Sequence, residues 1–116
     1  MGRTGMRASI AQLTSIAAEG ALMAQDLADD RTKTTFVRTH GEELSSQAEH
    51  EAEKLNDTPL DRGLGAIRAK AIGLASAIGN AIDGLRTAPH DRRSASQAAH
   101  DLKALSARAM KLGNSV

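Results

Sequence analysis

The chain has 116 residues, enough for one domain with a modest core. It is rich in alanine, has Phe36 as its only aromatic residue of the Phe, Tyr and Trp class, and has no cysteine, which excludes disulfides, thiol nucleophiles and thiolate metal sites. This composition favours helices over strands. A signal peptide is not expected because polar residues interrupt the apolar positions after Arg7, and no stretch of about 20 apolar residues occurs. We therefore expect a cytoplasmic protein.

The first predicted helix spans about residues 7–28. Its apolar or small positions recur in alternating steps of three and four residues, which is typical of a helix with one buried face. These positions are Ile10, Leu13, Ala17, Gly20, Ala24 and Leu27.

The second predicted helix spans about residues 34–55, and its apolar series is one residue out of register with the first. The series comprises Val37, Gly41, Leu44, Ala48, Ala52 and Leu55. The polar segment 29–34 favours a turn between the two helices, but it contains no Gly or Pro. One long bent helix over about residues 7–55, giving three helices in total, is the alternative.

The third predicted helix spans about residues 60–86, with Thr58 as its cap and Pro59 at its first helical position. Its apolar series has no error in the alternation of four and three, which makes it coiled-coil-like. The series is Leu60, Leu64, Ile67, Ala71, Leu74, Ile78, Ala81 and Leu85.

The fourth predicted helix spans about residues 92–113, with Asp91 as its N-cap and Gly113-Asn114 at its end. Four segments of similar length with short connections predict a single all-α domain over residues 1–116, folded as an antiparallel up-and-down four-helix bundle. The fourth series is Ala95, Ala98, Leu102, Leu105, Ala109 and Leu112.

Small residues also recur every four positions along the third helix, which allows another helix backbone to approach closely. The structural interpretation is that this is the central, most contacted helix of the bundle. The functional interpretation is a self-association face that forms a homodimer. The residues are Gly65, Ala69, Gly73, Ala77 and Ala81.

The segment 31–40 differs most from the rest of the chain, because it combines the only Phe with threonines, basic residues and a histidine. One interpretation is a helix junction in which Thr32 or Thr34 caps and Phe36 closes the bundle end. The other is a recognition patch anchored by Phe36. The candidate patch comprises Arg31, Thr35, Phe36, Arg38 and His40.

Charge is uneven, although the net charge is only +1. Residues 1–58 carry six basic and ten acidic side chains, and residues 59–116 carry nine basic and four acidic ones. We expect the acidic helix to lie beside the basic ones. Nucleic-acid binding is the alternative, and it requires seven basic residues to share one surface: Arg62, Arg68, Lys70, Arg92, Arg93, Lys103 and Arg108.

Motifs for catalysis, phosphate binding or metal binding are missing, so we expect no enzyme activity, cofactor or metal site. The basic segment 63–72 has no aromatic anchor for a membrane surface. Usage of Ala, Arg, Gly and Thr is typical of a bacterium with a GC-rich genome. The sequence favours a non-enzymatic helical interaction or scaffold protein that self-associates. The alternatives are a bundle that binds a small ligand or metal near residues 31–43, and a nucleic-acid accessory protein.

Overall fold

The computed structural model describes residues 1–116 and contains four helices and no strand. They are α1 (Arg3–Ala28), α2 (Thr34–Asp57), α3 (Gly65–Thr87) and α4 (Arg92–Asn114). The predicted all-α four-helix bundle is confirmed, and its Cα atoms fill a rod of 47 × 22 × 16 Å. None of the helices is long and apolar enough to cross a membrane.

The segment between Leu27 and Val37 is a turn, so the alternative of one long bent helix is wrong. Asp30 has φ 58°, the left-handed conformation that ends a helix, and Asp is among the residues that tolerate it. The predicted threonine caps are also wrong, because Lys33 is the N-cap of α2 and no side chain caps that end. The register change between the first two apolar series therefore marks a real reversal of the chain.

α3 begins at Gly65 rather than at residue 60, so the prediction of Pro59 at the first helical position is wrong. The chain's N-terminus holds the preceding loop in place: the Met1 ammonium donates to the Pro59 carbonyl oxygen, and the Asp61 N–H donates to the Met1 carbonyl oxygen. Gly63, with φ 89°, then turns the chain into the helix. α1 likewise begins four residues before its predicted start.

Asp91 caps α4 as predicted, since its carboxylate accepts the backbone N–H groups of Arg93 and Ser94. The Ser94 hydroxyl adds a hydrogen bond of 2.7 Å to the same carboxylate. These bonds hold the pKa of Asp91 below its usual value. The cap thus fixes where the chain leaves the turn at Pro89 and enters the last helix.

The antiparallel order is shown by residues early in one helix that lie against residues late in its neighbour, Ile10 against Gly113 and Gly41 against Arg86. Between α1 and α4, the Ser106 hydroxyl donates to the Thr14 carbonyl oxygen at 3.0 Å. Between α2 and α3, the Ser45 hydroxyl donates to Asp83 at 2.7 Å. α1 and α3 touch across the bundle at Gly20, whereas α2 and α4 are not in contact.

The core is aliphatic and joins residues of all four helices. Most of the predicted apolar positions are buried, but Ala75 and Ile82 of α3 are also buried, although they lie outside the predicted series. Ser9 and Glu51 are the buried polar residues, and Ser9 Oγ and Glu51 Oε2 have no hydrogen-bond partner.

Candidate interaction surfaces

Phe36 and His40 lie one turn apart on α2, and their rings stack with centroids 5.2 Å apart. Phe36 is 52% exposed, so it does not close the bundle end as the junction interpretation expects. His40 Nε2 lies 3.7 Å from Glu19 of α1, and His40 Nδ1 lies 3.5 Å from Glu43. Both contacts become ion pairs when the imidazole is protonated.

Only part of the predicted patch shares this surface. Arg31 lies in the turn and is exposed, as are Thr35 and Arg38 on α2. At about 100° per residue, Arg38 lies about 160° around the helix from Phe36 and from His40. The structure therefore brings Phe36 and His40 together and leaves Arg38 on another side of α2.

Of the two carboxylates beside His40, one contact is predictable from the sequence and the other is not. Glu43 is three residues further along the same helix, a spacing that places side chains together. Glu19 belongs to α1, and no local pattern indicates that it meets His40.

The small residues of α3 lie mainly at the surface. Each four-residue step turns about 40° around a helix, so the series winds from the outside toward a neighbouring helix. Gly65, Ala69 and Gly73 are exposed, whereas Ala77 and Ala81 are half-buried against the core. The prediction that α3 is the central, most contacted helix is wrong, because α1 packs more extensively against the other helices and a Cβ added to Gly65 or Gly73 of α3 meets nothing within 4 Å.

The solvent-facing side of α3, called here the α3 outer face, is small and uncharged. Lys70 is the only charged residue among the exposed positions of this helix. A Cβ built on Gly73 or Gly84 meets nothing within 4 Å, so neither glycine is required by packing inside the molecule. The α3 outer face comprises Ala66, Ala69, Gly73, Ser76, Asn80 and Gly84.

A groove of about 670 Å³ runs between the first half of α3 and the last turns of α4. Its rim carries the cations Lys70, Arg108 and Lys111, and its lining contains no acidic side chain. Leu74 and Leu112 supply apolar surface beneath them. We call this feature the basic groove.

The other basic residues of the second half do not all join this groove. Arg92 Nη2 lies 3.2 Å from Asp30 Oδ2, in the turn after α1. Lys103 lines a different groove, between α1 and α4, together with the exposed apolar residues Leu22 and Met110. The single basic surface that the nucleic-acid interpretation requires is therefore divided.

Ion pairs do not join α2 to the basic helices. The predicted contact of the acidic helix with α3 is present, but α4 lies away from α2. The ion pairs of the protein are Arg86 with Asp83 and Arg92 with Asp30, and the contacts of His40 with Glu19 and Glu43 join them only when the imidazole is protonated. Arg92 with Asp30 is the one ion pair between the basic second half of the chain and its acidic first half, so direct pairing neutralises little of the charge asymmetry.

The histidines and carboxylates do not form a group of three or more that could hold a metal ion. Comparison of the chain with protein-family models, curated proteins and solved structures finds no match. Functional interpretation therefore depends on the surfaces themselves.

Proposed function

We propose that this chain is a non-enzymatic helical interaction protein of the cytoplasm that self-associates through the α3 outer face. The observation that carries the proposal is the exposure of small, uncharged residues along this helix. Solvent-facing helix surfaces are normally polar and charged, as on α4, where Arg93, Asp101 and Lys103 are exposed.

Exposed glycines add a second argument. A glycine within a helix costs about 1 kcal/mol relative to alanine. Gly73 and Gly84 have no neighbour in the molecule that would clash with a Cβ, so internal packing does not offset that cost. A second helix lying close to α3 gives these glycines a role, because it fills the space that a side chain would otherwise occupy.

The area of the α3 outer face is too small for a stable interface by itself. The strip from Ala66 to Gly84 is about 27 Å long and about 10 Å wide, or roughly 300 Å². A stable interface covers about 800 Å² on each partner. Surfaces that flank α3 must therefore belong to the contact.

The test is self-association of the purified chain, measured as weight-average mass by sedimentation equilibrium over a range of concentrations. We expect the mass to rise above the 12.1 kDa of one chain as the concentration increases. Gly73→Gln should weaken this association, because the added side chain blocks close approach, whereas a Cβ at this position meets nothing within 4 Å in the monomer. Ala18→Gln, which places the same side chain at an exposed site on α1, is the control and should associate like the parent.

A parent chain that stays at monomer mass up to millimolar concentration would overturn the proposal. So would a Gly73→Gln variant that associates as strongly as the Ala18→Gln variant, because the contact would then lie elsewhere on the bundle.

A further inference from the structure

The three cations of the basic groove have no acidic partner in the fold. Lys70, Arg108 and Lys111 are exposed and take part in no ion pair or side-chain hydrogen bond. The helix dipole explains Lys111, which lies in the last turn of α4 where positive charge is favoured. It does not explain Lys70 in the first half of α3.

A complementary surface lies on α2. Glu42, Glu49 and Glu53 are exposed, and at about 100° per residue they fall within about 40° of one another around the helix. None of them takes part in an ion pair. Arg38 precedes Glu42 by one turn on the same side, so Glu49 and Glu53 contribute most of the free negative charge. We call these three glutamates the acidic row.

The acidic row and the basic groove do not meet within one molecule. None of the three glutamates lines the groove, and α4, which supplies Arg108 and Lys111, is not in contact with α2. A second copy of the chain, by contrast, presents an acidic row to every basic groove.

We propose that the acidic row of one copy docks in the basic groove of a second copy. The inference rests on the proposed self-association and names the surface that completes the contact on α3. Glu49 and Glu53 are separated by about 6 Å along their helix, and Arg108 and Lys111 by about 4.5 Å along theirs, so two carboxylates face two cations. Gly73 lines the groove and has no side chain, which leaves room for the α2 backbone of the second copy to approach.

This contact joins two different surfaces, so it is heterologous and each copy retains a free row and a free groove. The assembly grows as a ring or a chain rather than closing as a face-to-face dimer. Its exposed charge pairs are screened by salt.

The test uses two neutralised variants of the whole chain. The groove variant is Lys70→Gln with Arg108→Gln and Lys111→Gln, and the row variant is Glu42→Gln with Glu49→Gln and Glu53→Gln. Each changes only exposed residues, so both should keep the helical circular dichroism of the parent. Alone, each variant should associate at least about tenfold more weakly than the parent, because the charge pairs across the contact are lost.

Mixing the two variants tests directly whether the acidic row of one copy binds the basic groove of another. The row variant keeps an intact groove and the groove variant keeps an intact row, so the mixture should form a one-to-one complex of about two chain masses. This complex should weaken when salt is raised from about 0.05 M to about 0.5 M.

A row variant that self-associates like the parent would overturn this inference and leave the proposed self-association standing. A mixture that associates no more than either variant alone would also overturn it. A parent chain that remains monomeric refutes the proposed function itself, so the two failures are distinguishable.

Discussion

Glycines at two depths in the bundle should respond in opposite ways to the same substitution. A Cβ added to Gly20 lies 3.2 Å from Ile82 Cγ1 and 3.2 Å from Leu102 Cδ1, so it is confined between α3 and α4. A Cβ added to Gly73 meets nothing within 4 Å. Changing each glycine to alanine therefore separates the packing effect from the backbone effect.

Both substitutions gain helix propensity, about 1 kcal/mol relative to glycine. Overpacking in a filled core costs about 1–3 kcal/mol. We expect Gly73→Ala to stabilise by about 1 kcal/mol, and Gly20→Ala to be neutral or to destabilise by up to about 2 kcal/mol. The difference between the two variants, about 1–3 kcal/mol, measures the cost of the added methyl group at Gly20.

Urea unfolding followed by circular dichroism, at micromolar concentration where association does not contribute, measures both free energies of unfolding. For a chain of this size, 1 kcal/mol corresponds to a shift of about 3–5 °C in Tm, so thermal unfolding is an independent check. Equal stabilisation of both variants would refute the close approach of α1 to α3 and α4 at Gly20. Destabilisation by Gly73→Ala would refute the exposure of that side of α3.

Substitutions at three further residues test polar groups. Glu51→Met should stabilise by about 1–2 kcal/mol in urea unfolding, because Glu51 Oε2 is buried without a partner, whereas Glu51→Gln should change little; destabilisation by the Met variant would contradict this. Burial raises the pKa of Asp83, but hydrogen bonds from Arg86 and Ser45 outweigh it and hold the pKa below its usual value. The stability from Asp83 is therefore present above its unfolded pKa and lost as pH falls through its folded pKa, so the deficit of Asp83→Asn relative to the parent should shrink below about pH 4. A deficit that stays constant with pH would argue against this. Asp91→Ala should lower the Tm because α4 loses its cap, whereas Asp91→Asn should retain most of it, and equal losses would show that charge rather than capping matters.

The bundle was predictable because its apolar periodicity is read along the chain. The alternating series on α1 and α4 identifies residues such as Leu13 and Leu102 that are fully buried. The start of α3 was not predictable, because the loop before it is held by backbone hydrogen bonds from Met1 and Asp61, which are far apart in sequence. Thr58 and Pro59 favour a helix start at this point of the sequence, but the contact of Met1 with the loop holds these residues outside the helix.

The candidate surfaces were predictable only where their residues share one helix and one face. Phe36 and His40 satisfy that condition and stack. Arg38 does not, although it lies between them in sequence. The sequence likewise identifies the small residues of α3 but not the side on which they lie, because their four-residue repeat winds across the apolar seam. The basic groove combines Lys70 of α3 with Arg108 and Lys111 of α4. These residues meet only because the two helices pack together, so no local sequence pattern predicts the groove.

The residues that determine the fold of this protein are different from the residues that are available for recognition. Alanine and leucine at the buried positions are sufficient to bring four helices together, and many outer surfaces are compatible with that core. The core therefore places no requirement on Gly73, Lys70 or Glu49, which are all exposed. Because these residues contribute little to holding the bundle together, their arrangement is free to serve recognition. Substitution of Lys70 or Glu49 should change association while leaving the unfolding of the monomer nearly unchanged, which is the behaviour that distinguishes an interaction surface from a structural one.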